Sequence, residues 1–334
     1  MTAPRVSVVV LNWNNGAATA ACLRALATTD YPALSIIVVD NASTDGSAEQ
    51  FDGAAGIELV RNDANLGFTG GVNTGIRRAM ANGADYIWLL NSDAVAAPDV
   101  LTKLVAAAER DPRIGLVSPV FRDPDPPYAW EVRGARFDPR SRLATLTDDP
   151  ATARDWSERY PDQIVLLGTA LLVRRALIEK IGGLDDRFFA YVEDVDFSLR
   201  SIAAGFRNVA VPDAIVEHRF KRPVEQPGDV PPYLHYFISR NYPLLWRKLP
   251  GRAVMSKSML WFVRERLLQI TRMRNDTAAV DAVLAGLWDG WRGVGGPYDP
   301  TRRMPAPLRP LLARYPELWL ALLDGRIGRE KSAR

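Results

Sequence analysis

Three nearly continuous apolar runs, VSVVVLN (6–12), LSIIVVD (34–40) and DYIWLLN (85–91), constrain the fold of this chain more than any other feature. A strand with one face in water alternates apolar and polar residues. A run without alternation belongs to a strand covered on both faces, as in parallel sheets. IELVRN (57–62) and IGLVSPVF (114–121) are two further strand candidates. Between the runs the spacing predicts helices over 16–29, 67–83 and 98–110, the last with Pro98 in its first turn. Strands alternating with helices predict an α/β fold built on a doubly wound sheet, with ligands beyond the carboxyl ends of the strands. Polar residues gather at those ends: Asn12, then Asp40 and Asn41, then Asn91, Ser92 and Asp93.

Beyond residue 121 the chain turns rich in proline and arginine, and 122–163 reads as an irregular excursion over the sheet, lining a substrate groove. QIVLLGTALLVRRALIEKIGGLD (163–185) then reads as a strand entering a helix that Gly182 and Gly183 can end. RPVEQPGDVPPYL (222–234) reads as a linker, followed by helical stretches rich in Trp, Arg and Leu. Charge divides along the same line. Residues 1–218 hold 21 basic and 29 acidic side chains, and 219–334 hold 21 and 10, so the net +3 joins an acidic front to a basic back. The single cysteine, Cys22, excludes an internal disulfide framework and fits a reducing compartment. The start carries no basic region ahead of a cleavable apolar stretch, and no run reaches ~18 apolar residues, so a cytoplasmic location is expected.

Each polar cluster has a plain reading and a functional one. VVDNASTDGSAEQF (38–51) is a turn with Ser43 or Thr44 capping a helix, or it fixes Asp40 to accept hydrogen bonds from a nucleotide base or ribose. The glycines of NDANLGFTGGVNTGI (62–76) either ease helix–sheet packing or let backbone amides approach a phosphate. No Gly-Lys-Ser/Thr follows, so this is not a Walker loop. Asp93 is a strand-end turn former or the one carboxylate of a magnesium site, sufficient where substrate phosphates complete the shell. Asn91 beside it can donate and accept toward a ribose or a metal-bound water. In FFAYVEDVDFSLR (188–200), Glu193, Asp194 and Asp196 either complement a helix dipole or supply a general base, since like charges and desolvation raise a carboxylate's pKa. His218, in IVEHRF, is a structural histidine or a metal ligand.

Taken in order, VVVLNWNN, VVDNASTDGS, NLGFTGGVNTG, LLNSDAVAAPD, GTALLVRR, FFAYVEDVDFSLR and VEHR resemble the family 2 glycosyltransferases of the GT-A fold over about residues 5–220. Within that family Asn-x-Asp at 91–93 and YVEDVDFSLR are similar to bacterial rhamnosyltransferases and their galactofuranosyl relatives. The resemblance implies a GT-A catalytic domain over 1–221, a mixed, mostly parallel sheet flanked by helices, with a nucleotide part to about 121 and an acceptor part over 122–221, and a basic helical region over 222–334. It implies a nucleotide-diphospho-sugar donor pocket involving Asn12, Asp40, Asn41, Asn65, Gly67, Asn91 and Ser92. Asp93 and His218 would hold Mg2+ or Mn2+. Asp194 would be the catalytic base, with Glu193 helping to place the acceptor. Arg240 and Asn241 resemble an Arg-Asn pair of rhamnosyltransferase-like members, on the acceptor side. Asn91 departs from the Asp found in many members, which bears on metal affinity.

The implied chemistry is inverting, metal-dependent transfer of a sugar, first L-rhamnose from dTDP-rhamnose and second galactofuranose, to a glycan or polyprenyl-diphosphate-linked acceptor of the cell envelope. The basic, Trp-bearing back part reads either as helices packed with solvated basic faces or as a peripheral attachment to an anionic membrane surface. No nucleic-acid module is recognised, and a homo-oligomer is compatible with the sequence. A sugar-phosphate nucleotidyltransferase would carry a basic Gly-rich loop where this chain reads NWNNGAATAA. The rival from another class is a non-catalytic nucleotide-sugar-binding partner protein, which an incomplete Asp-x-Asp keeps open.

Overall fold

The computed structural model describes residues 2–123, 130–218, 230–249, 257–272 and 275–314, so residues 222–229 of the expected linker lie outside it. The chain opens with β1 (Val6–Asn12), α1 (Gly16–Leu26), β2 (Leu34–Asp40), β3 (Ile57–Arg61), α2 (Gly67–Ala81) and β4 (Tyr86–Asn91). There follow β5 (Ala94–Ala96), α3 (Val100–Ala108), β6 (Ile114–Asp123), β7 (Trp130–Val132), β8 (Gly134–Asp138), β9 (Leu143–Thr147) and α4 (Pro150–Arg159). Then come β10 (Ala170–Arg174), α5 (Arg175–Ile181), α6 (Glu193–Ala203) and β11 (Arg207–His218). The last helices are α7 (Pro232–Lys248), α8 (Lys257–Arg272), α9 (Thr277–Arg292) and α10 (Leu308–Arg314).

Two compact units form. The first holds residues 2–138, 144–189 and 193–218; the second holds 139–143, 190–192 and the described residues from 230 onward. Among the described residues, the sheet of the first unit runs in the order β3-β2-β1-β4-β10-β6-β11-β5, with β7 on β6. Pairs β3-β2, β2-β1, β1-β4 and β6-β11 are parallel, while β10 lies antiparallel to both β4 and β6. The sheet is therefore mixed and largely parallel, as expected, with the short strands β5 and β7 also antiparallel to β11 and β6.

The absence of alternation in those runs has the expected cause. Val8 and Val10 pack on one side of the sheet with Val38, Trp88 and Leu90; Val9 packs on the other with Ile37, Val39, Ile87 and Leu89. Cys22, Leu23, Leu101 and Leu104 from α1 and α3 cover the first side. Val72, Ile76, Leu177 and Phe197 from α2, α5 and α6 cover the second. Gly75 lies so close to β1 that a Cβ there would collide with Val9, so this glycine serves helix–sheet packing.

The stretch 122–163 is not irregular where it is described. It contains the β8-β9 hairpin and α4, which Asp149 caps by accepting from the amides of Ala151 and Thr152, with Pro150 in the first turn. Pro98 precedes its helix instead of entering it, because α3 starts at Val100. In the second unit α7 and α9 approach closely: a Cβ at Gly286 or Gly290 would collide with the carbonyl oxygens of Tyr236 or Arg240. Leu267, Ile270, Val283, Leu284 and Met304 form an apolar core there. No described helix is long and apolar enough to cross a membrane.

Candidate active site

The register of the parallel strands brings the polar residues to one level. Asn12 pairs with Asp40 across β1 and β2, and Leu11 pairs with Asn91 across β1 and β4. Asn12 and Asp40 are both buried, and Asn12 is fully covered. The Asn12 amide nitrogen donates to Asp40 Oδ1 (2.9 Å), Ser43 Oγ (3.1 Å) and Ser47 Oγ (2.7 Å), and its Oδ1 accepts from Thr19 Oγ1 (2.8 Å). Asp40 Oδ2 accepts from the Ser43 amide at 3.1 Å. Asn12 therefore fixes Asp40 from below, with its own hydrogen-bonding groups committed to protein partners. Ser43 caps no helix; its hydroxyl also accepts from the amide of Asn14.

Asn41 does similar work for the next loop. Its Nδ2 donates to Asn65 Oδ1 (2.9 Å) and the Gly67 carbonyl (3.0 Å), while its Oδ1 accepts from Asn62 Nδ2 and the Leu66 amide. The Gly67 amide donates to Asn65 Oδ1 at 2.8 Å and is occupied within the loop. Gly67 has φ +73°, and a Cβ there would strike the ring and carbonyl of Phe189. At this glycine the close approach is to protein, not to a phosphate. Asn91 and Ser92 are half-buried, and their side chains make no hydrogen bond among the described residues.

A strand too short to read in the sequence places the metal candidates. β5 follows Asp93 directly and pairs antiparallel with the end of β11, setting His218 opposite Ala94. His218 Nε2 thereby lies 3.1 Å from Asp93 Oδ1, across 125 positions of sequence. The carboxylate keeps 28% of its surface exposed and the imidazole 9%. One oxygen donor and one nitrogen donor converge, and no cluster of three potential ligands exists among the described residues. Such a pair fits a Mg2+ or Mn2+ ion that takes its remaining ligands from a diphosphate and water.

The acidic motif separates into two kinds of carboxylate. Asp196 is buried and paired with Arg200 at 2.7 Å, and Arg200 also donates to the carbonyls of Ile181 and Gly183. That residue is structural. Asp194 is half-buried; its Oδ2 accepts from the Gly168 amide (3.0 Å) and its Oδ1 from the Val195 amide (2.7 Å). Gly168 stands two residues ahead of Ala170, which pairs with Leu90, and the Asn91 amide donates to the Thr169 carbonyl. The antiparallel β10 thus ties Asp194 to the carboxyl end of β4. Burial pushes the Asp194 carboxyl above its ordinary range, while the two backbone amides work against the rise. Glu193 is pushed well above its own, chiefly by burial and then by the charge of Asp194, and its Oε2 has no hydrogen-bond partner among the described residues.

Glu193 carries a testable consequence. In the unfolded chain its carboxyl ionises in the ordinary range, so stability from the neutral buried acid is present below that range and lost as pH rises toward the folded value. Glu193→Gln, neutral throughout, is expected to raise Tm at pH 7 by a few degrees, on a scale of ~2–4 °C per kcal/mol for a domain of this size. It should also flatten the decline in stability between pH 5 and pH 7. A lower Tm at both values, read by thermal denaturation, would contradict this account.

Two residues escaped the sequence reading. Trp13, 53% exposed, directly follows Asn12, the residue that pairs with Asp40 across β1 and β2. Asn73, buried in α2, donates to the Leu184 carbonyl and Asp186 and accepts from the Leu184 amide, bracing the approach to the acidic helix. A large exposed aromatic between two polar residues was the available signal for Trp13; nothing local marked Asn73. Arg240 and Asn241, expected on the acceptor side, are completely buried within the second unit, so neither side chain is offered to a ligand in this arrangement.

Comparison with known proteins bears on the family and the fold. The model of the family described as glycosyl transferase family 2 matches residues 7–182. An N-acetylglucosaminyl-diphospho-decaprenol L-rhamnosyltransferase of Mycobacterium tuberculosis is 31% identical over 229 residues, 63% of this chain and 75% of that protein. A dTDP-rhamnosyl transferase of Shigella flexneri is 21% identical, covering 79% of this chain and 89% of its own length. Among solved structures, a mannosyltransferase from Pyrobaculum calidifontis in complex with GDP-Man and Mn2+ superposes with TM-score 0.55 at 18% identity, over 97% of this chain and 85% of that one. Staphylococcus aureus TarS residues 1–349, in complex with UDP-GlcNAc, does so with TM-score 0.55 at 15% identity, over 99% and 91%. Both show the GT-A fold.

Proposed function

The chain belongs to glycosyl transferase family 2, and we propose that it moves L-rhamnose from dTDP-rhamnose, with inversion, to a hydroxyl of a polyprenyl-diphosphate-linked glycan. It is a glycosyltransferase. The observation that carries the mechanism is Asp194: a carboxylate anchored by two backbone amides, raised in pKa by burial, and tied through β10 to the end of β4. The donor and acceptor are inferred from the relatives' names, a dTDP-rhamnosyl transferase and a rhamnosyltransferase for a diphospho-decaprenol-linked GlcNAc.

In this reading Asp194 accepts the proton of the acceptor hydroxyl as that oxygen bonds to the anomeric carbon and the bond to the diphosphate breaks. One displacement inverts the anomeric configuration and needs no protein nucleophile. Glu193, whose carboxyl burial and the neighbouring charge of Asp194 hold well above its ordinary range, would help to place the acceptor. A divalent cation held by Asp93 and His218 would neutralise charge on the departing diphosphate. Asp40, fixed by Asn12, would accept from the base or ribose, and the free amide of Asn91 and hydroxyl of Ser92 would meet the donor nearby. Exposed Trp261 and Trp291 in the basic second unit favour attachment to an anionic membrane surface, where a lipid-linked acceptor resides.

The test is a donor panel with a synthetic polyprenyl-diphosphoryl-GlcNAc acceptor, following transfer and the anomeric configuration of the product by NMR. Faster transfer from UDP-galactofuranose than from dTDP-rhamnose would reassign the sugar, and retained configuration would overturn the displacement. Trp13 supplies a second check, because an exposed indole one residue past Asn12 would offer a nucleobase near Asp40 a stacking face. Trp13→Ala is expected to raise donor KM about 10-fold with kcat within twofold, the scale of one base–aromatic stack. An unchanged donor KM would remove Trp13 from the pocket.

A further inference from the structure

Three of the four residues that precede the acidic pair sit in a backbone conformation that their side chains disfavour. Phe189 has φ +63° with ψ −56°, and Tyr191 and Val192 both have φ +69°. Positive φ is uncommon for any residue with a Cβ and is an outlier for a β-branched one such as Val192. Such strain persists only where surrounding structure over-determines it. Here the determinant is identifiable. The two N–H bonds of the Asn241 side chain donate to the carbonyls of Ala190 and Tyr191, each at 2.7 Å. Asn241 Oδ1 accepts from Arg240 Nε at 2.7 Å, which fixes the amide orientation and turns both donors toward the segment.

Arg240 is itself immobilised. It donates to the Gly296 carbonyl, and its guanidinium lies 5.2 Å from the centroid of Tyr236 and 4.9 Å from that of Phe237. The Phe237 ring in turn meets Tyr191 at 6.2 Å. Arg240 and Asn241 are both at 0% exposure. Upstream, the Phe189 carbonyl accepts from the Thr69 amide at 3.1 Å, so the strained segment is held at both ends. Downstream, the chain passes from Val192 directly into Glu193 and Asp194, the first residues of α6.

We propose that Asn241, oriented by Arg240, is a positioning residue for catalysis: by holding the Ala190 and Tyr191 carbonyls it locks Tyr191 and Val192 at positive φ and so sets where Glu193 and Asp194 begin their helix. This rests on the reading of Asp194 as the base. It replaces the acceptor contact expected for the Arg-Asn pair with a role through the backbone. A displacement of about 1 Å in a reacting group can cost on the order of 100-fold in rate.

The experiment compares Asn241→Asp, which keeps shape and can still accept from Arg240 but has no N–H, with Asn241→Ala. In the variants kcat is expected to fall about 100-fold while donor KM stays within threefold, because the donor pocket is untouched. Hydrogen exchange by mass spectrometry should show peptides spanning 190–194 exchanging at least about 10-fold faster, with β1–β4 unchanged. The inference is overturned if kcat stays within threefold of wild type with exchange unchanged. It is equally overturned if both variants lose donor binding and fold together, which would make Asn241 an ordinary core residue. Asp194→Asn run alongside separates the two readings. Transfer surviving in that variant defeats the base assignment, while exchange at 190–194 still reports on Asn241.

Discussion

Replacing Asp194 by asparagine is expected to lower kcat by about 10³-fold, within the 10²–10⁴ range typical of a lost general base. The side chain keeps its shape, and donor binding is expected to stay within threefold, so the loss belongs to the chemical step. One amide bond to Gly168 or Val195 has to be given up, because an asparagine offers a single acceptor oxygen where the carboxylate offered two. That local cost is checked by the melting temperature and removed from the argument if the variant melts near wild type. The pH profile supplies the second signature. A base must be deprotonated, so kcat/KM falls as pH drops through its pKa, and burial places that fall above the ordinary carboxylate range. Glu193 is raised as well, chiefly by burial and then by the charge of Asp194, so the two neighbouring carboxyls titrate together. The acid limb should disappear in Asp194→Asn. Turnover within threefold of wild type, or an unchanged acid limb, would assign the proton transfer elsewhere.

How much of this could be read in the sequence depends on whether the cause was local. The strands β1, β2 and β4 are legible because double coverage abolishes alternation, and their boundaries follow the apolar runs. The direction of β10 is not, since ALLVR has the same hydropathy whichever way it runs. β5 is three residues long and leaves no periodic trace, yet it is what brings His218 to Asp93. α4 escaped because it buries no residue and so has no apolar face to detect; only its cap, Asp149 followed by Pro150, was readable.

The candidate site follows the same division. Its residue types could be picked out by chemistry, but their working partners are tertiary. Asn12 and Asn41 look like ligand contacts because buried amides and ligand-binding amides share a composition. Only the hydrogen-bond partners reveal that both brace the loops that carry Asp40 and Asn65. Of the three clustered carboxylates, Arg200 four residues on could have singled out Asp196 as paired. The Gly168 amide that anchors Asp194 could not have been foreseen, lying 26 positions away in a segment without regular structure.

Asp93→Ala is expected to weaken Mn2+ binding, measured by titration calorimetry in the presence of the nucleoside diphosphate, by at least about 100-fold. The argument is one of donor count. Where an Asp-x-Asp motif offers two carboxylates, this chain has Asn91, so in the proposed site the motif would contribute one anionic ligand, Asp93. His218 adds a neutral nitrogen donor 3.1 Å from that carboxylate, and imidazole is a weaker ligand than carboxylate for a hard cation. His218→Ala should therefore cost less than Asp93→Ala, and the double variant only a little more than Asp93→Ala, since what it further removes is the weaker, neutral ligand. Asn91→Asp should move affinity the other way and make Mn2+ binding measurable before the nucleotide is added. The order of the three variants discriminates between readings. If His218→Ala is as damaging as Asp93→Ala while the melting temperature also falls, the imidazole acts by holding the β5-β11 junction in register. If Asp93→Ala binds Mn2+ within threefold of wild type, the cation is held elsewhere, and the Asp93–His218 pair is a strand-end contact with no part in the donor site.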